Sequence, residues 1–155
     1  MGVNRGKKFE QVIREAFLKV PNTSVIRLPD PPKGYLGWRN ISDFIVYHYP
    51  HQYFIECKSV HGNTLPFSNI TDNQWNGLLD MAEIKGVKAG IICWWIDKDI
   101  TRFIPINVLA VMEMSGQKSY RWDNDYYGVE IKGKKKRIFF DYNMEEFFNE
   151  IGTGN

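Results

Sequence analysis

Residues 42–59, Ser-Asp-Phe-Ile-Val-Tyr-His-Tyr-Pro-His-Gln-Tyr-Phe-Ile-Glu-Cys-Lys-Ser, decide how this chain folds. Two β-rich runs, 43–47 and 53–59, flank a short polar turn containing Pro50, which is the pattern of an antiparallel hairpin. Folded symmetrically about Tyr49-Pro50, the hairpin sets Asp43 across the ladder from Glu56. Opposed Cβ atoms lie roughly 4.5–5.5 Å apart, and two carboxylates that close repel unless a cation lies between them. Lys58, two residues beyond Glu56, projects from the same strand face, and Cys57 points to the other, apolar side.

Two acids and an ammonium on one sheet face can hold a hard divalent cation, which takes oxygen ligands and keeps several waters. Water on such a cation loses its proton more readily, and the cation screens a phosphate's charge. Lys58 would stabilise the negative charge that builds during attack on phosphorus. That is the chemistry of phosphodiester hydrolysis. The alternative is an exposed strand with a solvated Glu and Lys. Against it, Glu56 and Lys58 interrupt a run in which Phe54, Ile55, Cys57 and Val60 are apolar.

The remaining chain, 155 residues in all, reads as a single domain with room for a sizeable core. A 43% hydrophobic and 25% charged composition is that of a soluble globular protein. No apolar run approaches the length of a membrane span, and no apolar signal core opens the sequence, so neither a membrane nor secretion is indicated. Met1-Gly2 lacks the Ser or Thr at position 6 that myristoylation requires, since Gly6 stands there. Cys57 and Cys93 sit in apolar, strand-like runs and read as reduced core residues of a cytoplasmic protein.

A net charge of +2 is too small to announce nucleic-acid binding, so the distribution of cations matters more. Lys132, Lys134, Lys135, Lys136 and Arg137 fall within six residues, and Arg5, Lys7 and Lys8 cluster near the start. The first group reads as a hairpin tip between strands 129–131 and 137–142. Such a tip either keeps a sheet edge soluble or acts as a phosphate-contacting prong, and the neighbouring acid site favours the prong.

Residues 9–20 carry Phe9, Val12, Ile13, Ala16, Phe17 and Val20 at helical spacing, with Asn4 as the N-cap region. Glu10 lies one turn from Arg14, so it either pairs with that residue on the surface, as spacing favours, or points toward the acid site. Strand 24–28 leads into a Pro/Gly-rich loop, 29–40, carrying Lys33, Tyr35, Trp38 and Arg39. That loop suits a DNA strand, or is a solvated connection with a Trp laid on the core. After the hairpin, 61–69 reads as a polar loop. Thr71-x-x-Gln74 opens a second helix with Trp75, Leu78, Leu79 and Ala82 on its buried side. Gln74 completes the capping box or reaches the cation. Residues 89–96 form a central strand buried on both faces, and 102–106 the next strand. A short helix over 108–114 is capped by Asn107, and a terminal helix over 144–151, capped by Asn143, presents Phe147, Phe148 and Ile151 to a partner surface. The result is an α/β domain, a mixed central sheet flanked by helices in the order αβββαβ.

Taken together, Asn4-Arg5-Gly6-Lys7-x-Phe9-Glu10, Ser42-Asp43-Phe44, Phe54-x-Glu56-x-Lys58 and the helix bearing Gln74 resemble the PD-(D/E)xK nuclease superfamily. Within it they look most like Holliday-junction resolvases of the RecU and archaeal/phage Hjc type. The resemblance covers about residues 4–106. It implies a restriction-endonuclease-like core in which Asp43, Glu56, the Cys57 carbonyl and Glu10 hold Mg²⁺, with Mn²⁺ a substitute. Lys58 would be the catalytic lysine, Gln74 the glutamine near the metal and Arg5 a phosphate neighbour. It further implies a metal-dependent endonuclease acting on four-way junctions in recombination and repair, in a bacterial, archaeal or phage-infected cell. Ile41 stands where RecU-type sequences carry a hydroxyl residue, and their central stalk shrinks here to the Pro/Gly loop. Paired cuts on symmetric strands call for a homodimer, its interface expected from the apolar parts of the C-terminal hairpin and helix. The same site would serve a restriction- or repair-type endonuclease on duplex DNA, and a non-catalytic recombination-accessory protein could keep the fold.

Overall fold

The computed structural model describes residues 4–34, 39–125 and 127–152. Tyr35 and Trp38, expected to stack on DNA, lie outside the described residues. Among the described residues four α-helices, α1 (Arg5–Leu18), α2 (Asp72–Ala82), α3 (Ile106–Met114) and α4 (Met144–Gly152), accompany ten strands. The first six strands are β1 (Thr23–Arg27), β2 (Phe44–His48), β3 (His51–Val60), β4 (Thr64–Pro66), β5 (Val87–Trp95) and β6 (Ile100–Pro105). The last four are β7 (Ser119–Arg121), β8 (Val129–Glu130), β9 (Gly133–Lys135) and β10 (Phe140–Tyr142).

Six of these strands form one mixed sheet in the order β1-β2-β3-β5-β6-β8, with β3 and β5 parallel and the other pairs antiparallel. The expected mixed sheet flanked by helices is therefore what the chain builds. Its middle strand, β5, is the apolar run read from the sequence, buried from Ala89 to Trp95. Gly90 permits this packing, because a Cβ there would stand 2.4 Å from the Ile104 carbonyl oxygen and 2.8 Å from the Phe103 ring.

Alternation along the strands sorts side chains into two cores. On one face Phe44, Val46, Tyr53, Ile55, Ile92 and Trp94 pack with α1 and α4; on the other Val60, Ile91, Cys93, Trp95 and Ile104 pack with α2 and α3. Among the described residues no helix is long and apolar enough to cross a membrane.

Several local expectations need correction. Helix α1 starts at Arg5, a turn earlier than its apolar spacing shows, because its first turn is polar and exposed; Asn4 caps it through the Lys7 N–H at 3.2 Å. The supposed loop 61–69 contains β4, which pairs with β7 and buries Leu65. Three-residue strands with partners some 55 residues away leave no periodic signal. Pro105, at φ −56° and ψ 140°, rather than Asn107, precedes α3. Strand β8 joins the main sheet beside β6, while β9 pairs with β10, so the basic residues are not the tip of a 129–131/137–142 hairpin. Lys134 and Lys135 lie within β9 itself. Asn143 does cap α4, accepting from the Glu146 N–H at 3.1 Å. The aromatic face of α4 is not free for a partner: Phe147 and Phe148 pack on Phe17 and Tyr53 in the α1-side core. That face of α4 is therefore covered within the chain rather than open as the expected dimer surface.

Candidate active site

Tyr49 and Pro50 make a two-residue turn between His48 and His51, and the register runs from there to Phe44 opposite Ile55. At Asp43 the ladder slips. Its N–H donates to the Ile55 carbonyl at 3.0 Å, so Asp43 and Phe44 address one residue, the two-on-one step of a β-bulge that re-aims a side chain. The Asp43 carboxylate turns inward and accepts the Cys57 N–H at 2.8 Å. Asp43 therefore reaches Glu56 through its side chain rather than as a simple ladder partner.

Glu56 lies 5% exposed on the α2 face of β3. Its carboxyl and that of Asp43 line the same cavity, close enough for the charge of Asp43 to act on Glu56. Glu56 Oε2 also accepts from Gln74 Nε2 at 3.1 Å and meets Lys58 Nζ at 3.3 Å. Gln74 takes the capping-box role and also contacts the side chains of the acid site. Its Oε1 accepts the Thr71 N–H at 3.1 Å, completing the capping box, and faces Lys58 Nζ at 3.3 Å, while its nitrogen serves Glu56. The first turn of α2 thus fixes the acid pair from one side.

Burial, and secondarily the charge of Asp43, pushes the Glu56 carboxyl up to about 8. Burial also raises Asp43, to about 6, against the opposing pull of the Cys57 N–H, with Glu10 adding to the rise. Burial and mutual repulsion thus disfavour ionising both carboxyls together near neutrality. Two convergent, desolvated carboxylates that resist joint ionisation suit a small hard cation. Mg²⁺ in particular takes one or two carboxylates and keeps its waters. Among the described residues no group of three or more His, Cys, Asp or Glu side chains is assembled to hold a metal. Cys57 packs with the α1-side core and burial drives its thiol up, so only its carbonyl is a plausible oxygen donor.

Glu10 is not paired with Arg14 as its spacing favours, while its charge reaches the acid site and raises Asp43. Its Oε1 binds Arg27 Nε at 2.8 Å, and Arg27 also reaches Asp30 at 3.5 Å. The partner is Arg27 on β1, rather than Arg14 on its own helix. Arg27 escaped the sequence reading because a strand residue seventeen positions away gives no spacing signal.

A cavity of about 170 Å³ opens over the acid pair, lined by Asp30, Arg39, Ser42, Asp43, Glu56 and Gln74 among others. Its far wall is the end of the 29–40 loop, and Asn73 pins that wall: its Nδ2 donates to the carbonyls of Arg39 and Asn40 at 3.2 and 3.1 Å. Asn40 Nδ2 in turn donates to the Pro29 carbonyl, drawing the two ends of the loop together. Asn73→Ala should therefore leave the fold within about 1 kcal/mol of wild type, as befits exposed hydrogen bonds. Limited proteolysis within 29–40 should become faster, while cleavage between α1 and β1 keeps its rate.

The other cations are dispersed. Arg5, Lys8, Lys33, Lys132, Lys134, Lys136 and Arg137 are exposed, and Lys135 is held by Asp99 at 2.6 Å. The β9–β10 hairpin packs through Tyr142 on Phe9 and through Phe139 on Trp94, on the sheet face opposite Glu56 and Lys58. Lys7 lines a separate cavity with Arg14 and Arg27.

A mixed sheet between helices, with an acid pair at the end of its hairpin, defines a resolvase- or restriction-endonuclease-like fold. Among solved structures it is similar to Hjc, a Holliday junction resolvase from the archaeal hyperthermophile Archaeoglobus fulgidus. The two share 20% identity at a TM-score of 0.58, over 81% of this chain and 95% of that one. It is also similar to the bacterial homing endonuclease I-Ssp6803I, at 12% identity and a TM-score of 0.44 over 98% and 95% of the two chains. No family model and no curated protein matches the sequence.

Proposed function

We propose that this protein is a divalent-cation-dependent DNA endonuclease that cuts four-way junctions as a homodimer. The observation that carries the proposal is the convergence of Asp43 and Glu56 on one cavity, with Lys58 Nζ 3.3 Å from Glu56, on a fold similar to that of a junction resolvase. Asp43, Glu56 and the Cys57 carbonyl hold Mg²⁺ or Mn²⁺. The bound cation supplies an acidified water and screens the phosphate's charge. Lys58 stabilises the negative charge that accumulates on the phosphate oxygens. Gln74 orients Glu56, and Glu10 acts on the site through Arg27 and through its charge on Asp43. The homodimer supplies two such sites related by a two-fold axis, as paired cuts require.

The test is incubation of a labelled mobile junction with Mg²⁺ or with EDTA, beside linear duplex of equal length. Symmetric, ligatable nicks in the junction with Mg²⁺ alone are expected. Equal cutting of the duplex would make the protein an ordinary duplex endonuclease. Junction binding without cutting at millimolar Mg²⁺ would make it an accessory DNA-binding protein.

A further inference from the structure

Two cavities flank the start of β2. Arg27 pairs with Phe44, and one residue further along, the Leu28 N–H donates to the Asp43 carbonyl at 2.9 Å. Asp43 stands at the bulge and Leu28 just past the end of β1, and these neighbouring rungs line different spaces. Leu28 and Asp43 line the acid cavity; Arg27 and Phe44 line a cavity of about 230 Å³ beneath α1. The two cavities therefore adjoin at one end of the sheet, with the neighbouring residues Asp43 and Phe44 lining one each.

The composition of the second cavity is of opposite sign. Lys7, Glu10, Gln11 and Arg14 form one helical stripe at i, i+3, i+4 and i+7, and Arg27 closes it from β1. Three cations face one carboxylate there. That carboxylate, Glu10, is 16% exposed and grips Arg27 at Nε, so it fixes the guanidinium in the wall of the cavity. Arg14 and Lys7 are exposed and make no ion pair among those of the described residues. The space holds a tetrahedral oxyanion with several waters, each needing about 30 Å³. Guanidinium forks pre-oriented by a second carboxylate are the groups that take phosphate oxygens in two parallel hydrogen bonds.

We propose that this cavity is a second phosphate subsite, taking a non-scissile backbone phosphate of the DNA strand whose scissile phosphate lies at Asp43 and Glu56. Lys7, Arg14 and Arg27 bind it, and Glu10 is the positioning residue for Arg27. This rests on the nuclease reading and adds to it where the strand runs: round the end of β2, from the α2 face to the α1 face.

The experiment measures junction affinity against salt concentration, with Ca²⁺ replacing Mg²⁺, for wild type, Arg14→Ala, Lys7→Ala and the distant control Lys85→Ala. Loss of one phosphate contact lowers the salt slope by about 0.9, and loss of a charge-assisted hydrogen bond weakens binding about tenfold. Arg14→Ala and Lys7→Ala are expected to show both changes and Lys85→Ala neither. Single neutral methylphosphonates are then walked along the cut strand. One position close to the scissile phosphate should weaken the wild type while costing Arg14→Ala nothing more. Wild-type binding with unchanged slopes in both variants overturns the subsite alone, as does a methylphosphonate scan that affects wild type and variant equally at every position. A wild type that binds no DNA overturns the subsite and the nuclease reading together.

Discussion

Glu56→Gln is expected to abolish cleavage and, in the same molecule stripped of metal, to raise stability at alkaline pH. The two effects have opposite signs because they concern the same buried charge. With a cation bound, the Glu56 carboxylate is a ligand, and a neutral amide of equal size cannot replace it. Activity should fall at least about 10³-fold, the upper end of what a single electrostatic group contributes in an active site. Without a cation, that carboxylate is 5% exposed beside Asp43, and above pH 8 it ionises against burial and a like charge. Glutamine removes the charge and still accepts from Gln74 and Lys58. A carboxyl raised from 4.5 to about 8 destabilises the fold once it ionises, by about 1.4 kcal/mol per pH unit of displacement, and the neutral amide avoids that loss. Urea denaturation in EDTA at pH 9 should therefore place Glu56→Gln above wild type. Asp43→Asn loses activity alike but gains less, because the Cys57 N–H already stabilises the Asp43 carboxylate. Wild-type cleavage by a clean preparation of either variant would remove the site assignment. Equal stability of Glu56→Gln and wild type at pH 9 would mean the carboxyl is solvated.

The acid pair and its lysine were legible because a hairpin makes local contacts. The two-residue turn sets the register, and period-two alternation puts Glu56 and Lys58 on one face. The capping box was legible for the same reason, since Thr71 and Gln74 are three residues apart. What the sequence concealed was built from distant pieces. Glu10 meets Arg27 across seventeen positions, Asn73 meets Arg39 across thirty-four, and β4 meets β7 across the whole of α2, β5, β6 and α3. No periodicity links such partners. The bulge at Asp43 was concealed differently: the ladder seemed to run on smoothly, and only the Asp43 N–H to Ile55 bond shows the slip. In the C-terminal third, apolar residues were read as seeking a partner because their cover, α1, lies more than a hundred residues earlier. Phe17 with Phe147 and Phe148 answers that expectation from within the chain.

The two raised carboxyls make a second large prediction, about pH and metal together. Both carboxyls are raised on folding, Glu56 from 4.5 to about 8 and Asp43 from 3.8 to about 6. A raised carboxyl favours the protonated form in the native state, so its contribution to stability is complete below the unfolded value and is lost as pH climbs through the folded one. Metal-free protein should accordingly lose stability between about pH 4 and about pH 8, by several kcal/mol in all at about 1.4 kcal/mol per pH unit of displacement. Asp97 and Asp141, which hydrogen bonds from Gly62 and Lys19 hold below the usual carboxylate range, act in the opposite sense only in more acidic solution. On the proposed metal-dependent reading, a divalent cation should reverse the alkaline loss, because it would bind the ionised pair and displace the proton on Glu56. Near pH 7 each cation bound should release about one proton, and affinity should rise with pH until about 8 and then level. Titration calorimetry with Mg²⁺ in two buffers of different ionisation enthalpy measures that proton directly. A binding enthalpy independent of buffer would mean that Glu56 is already ionised, and then the wild-type protein should keep its metal-free stability from pH 5 to 8. The two measurements stand or fall together, since one displaced ionisation governs both.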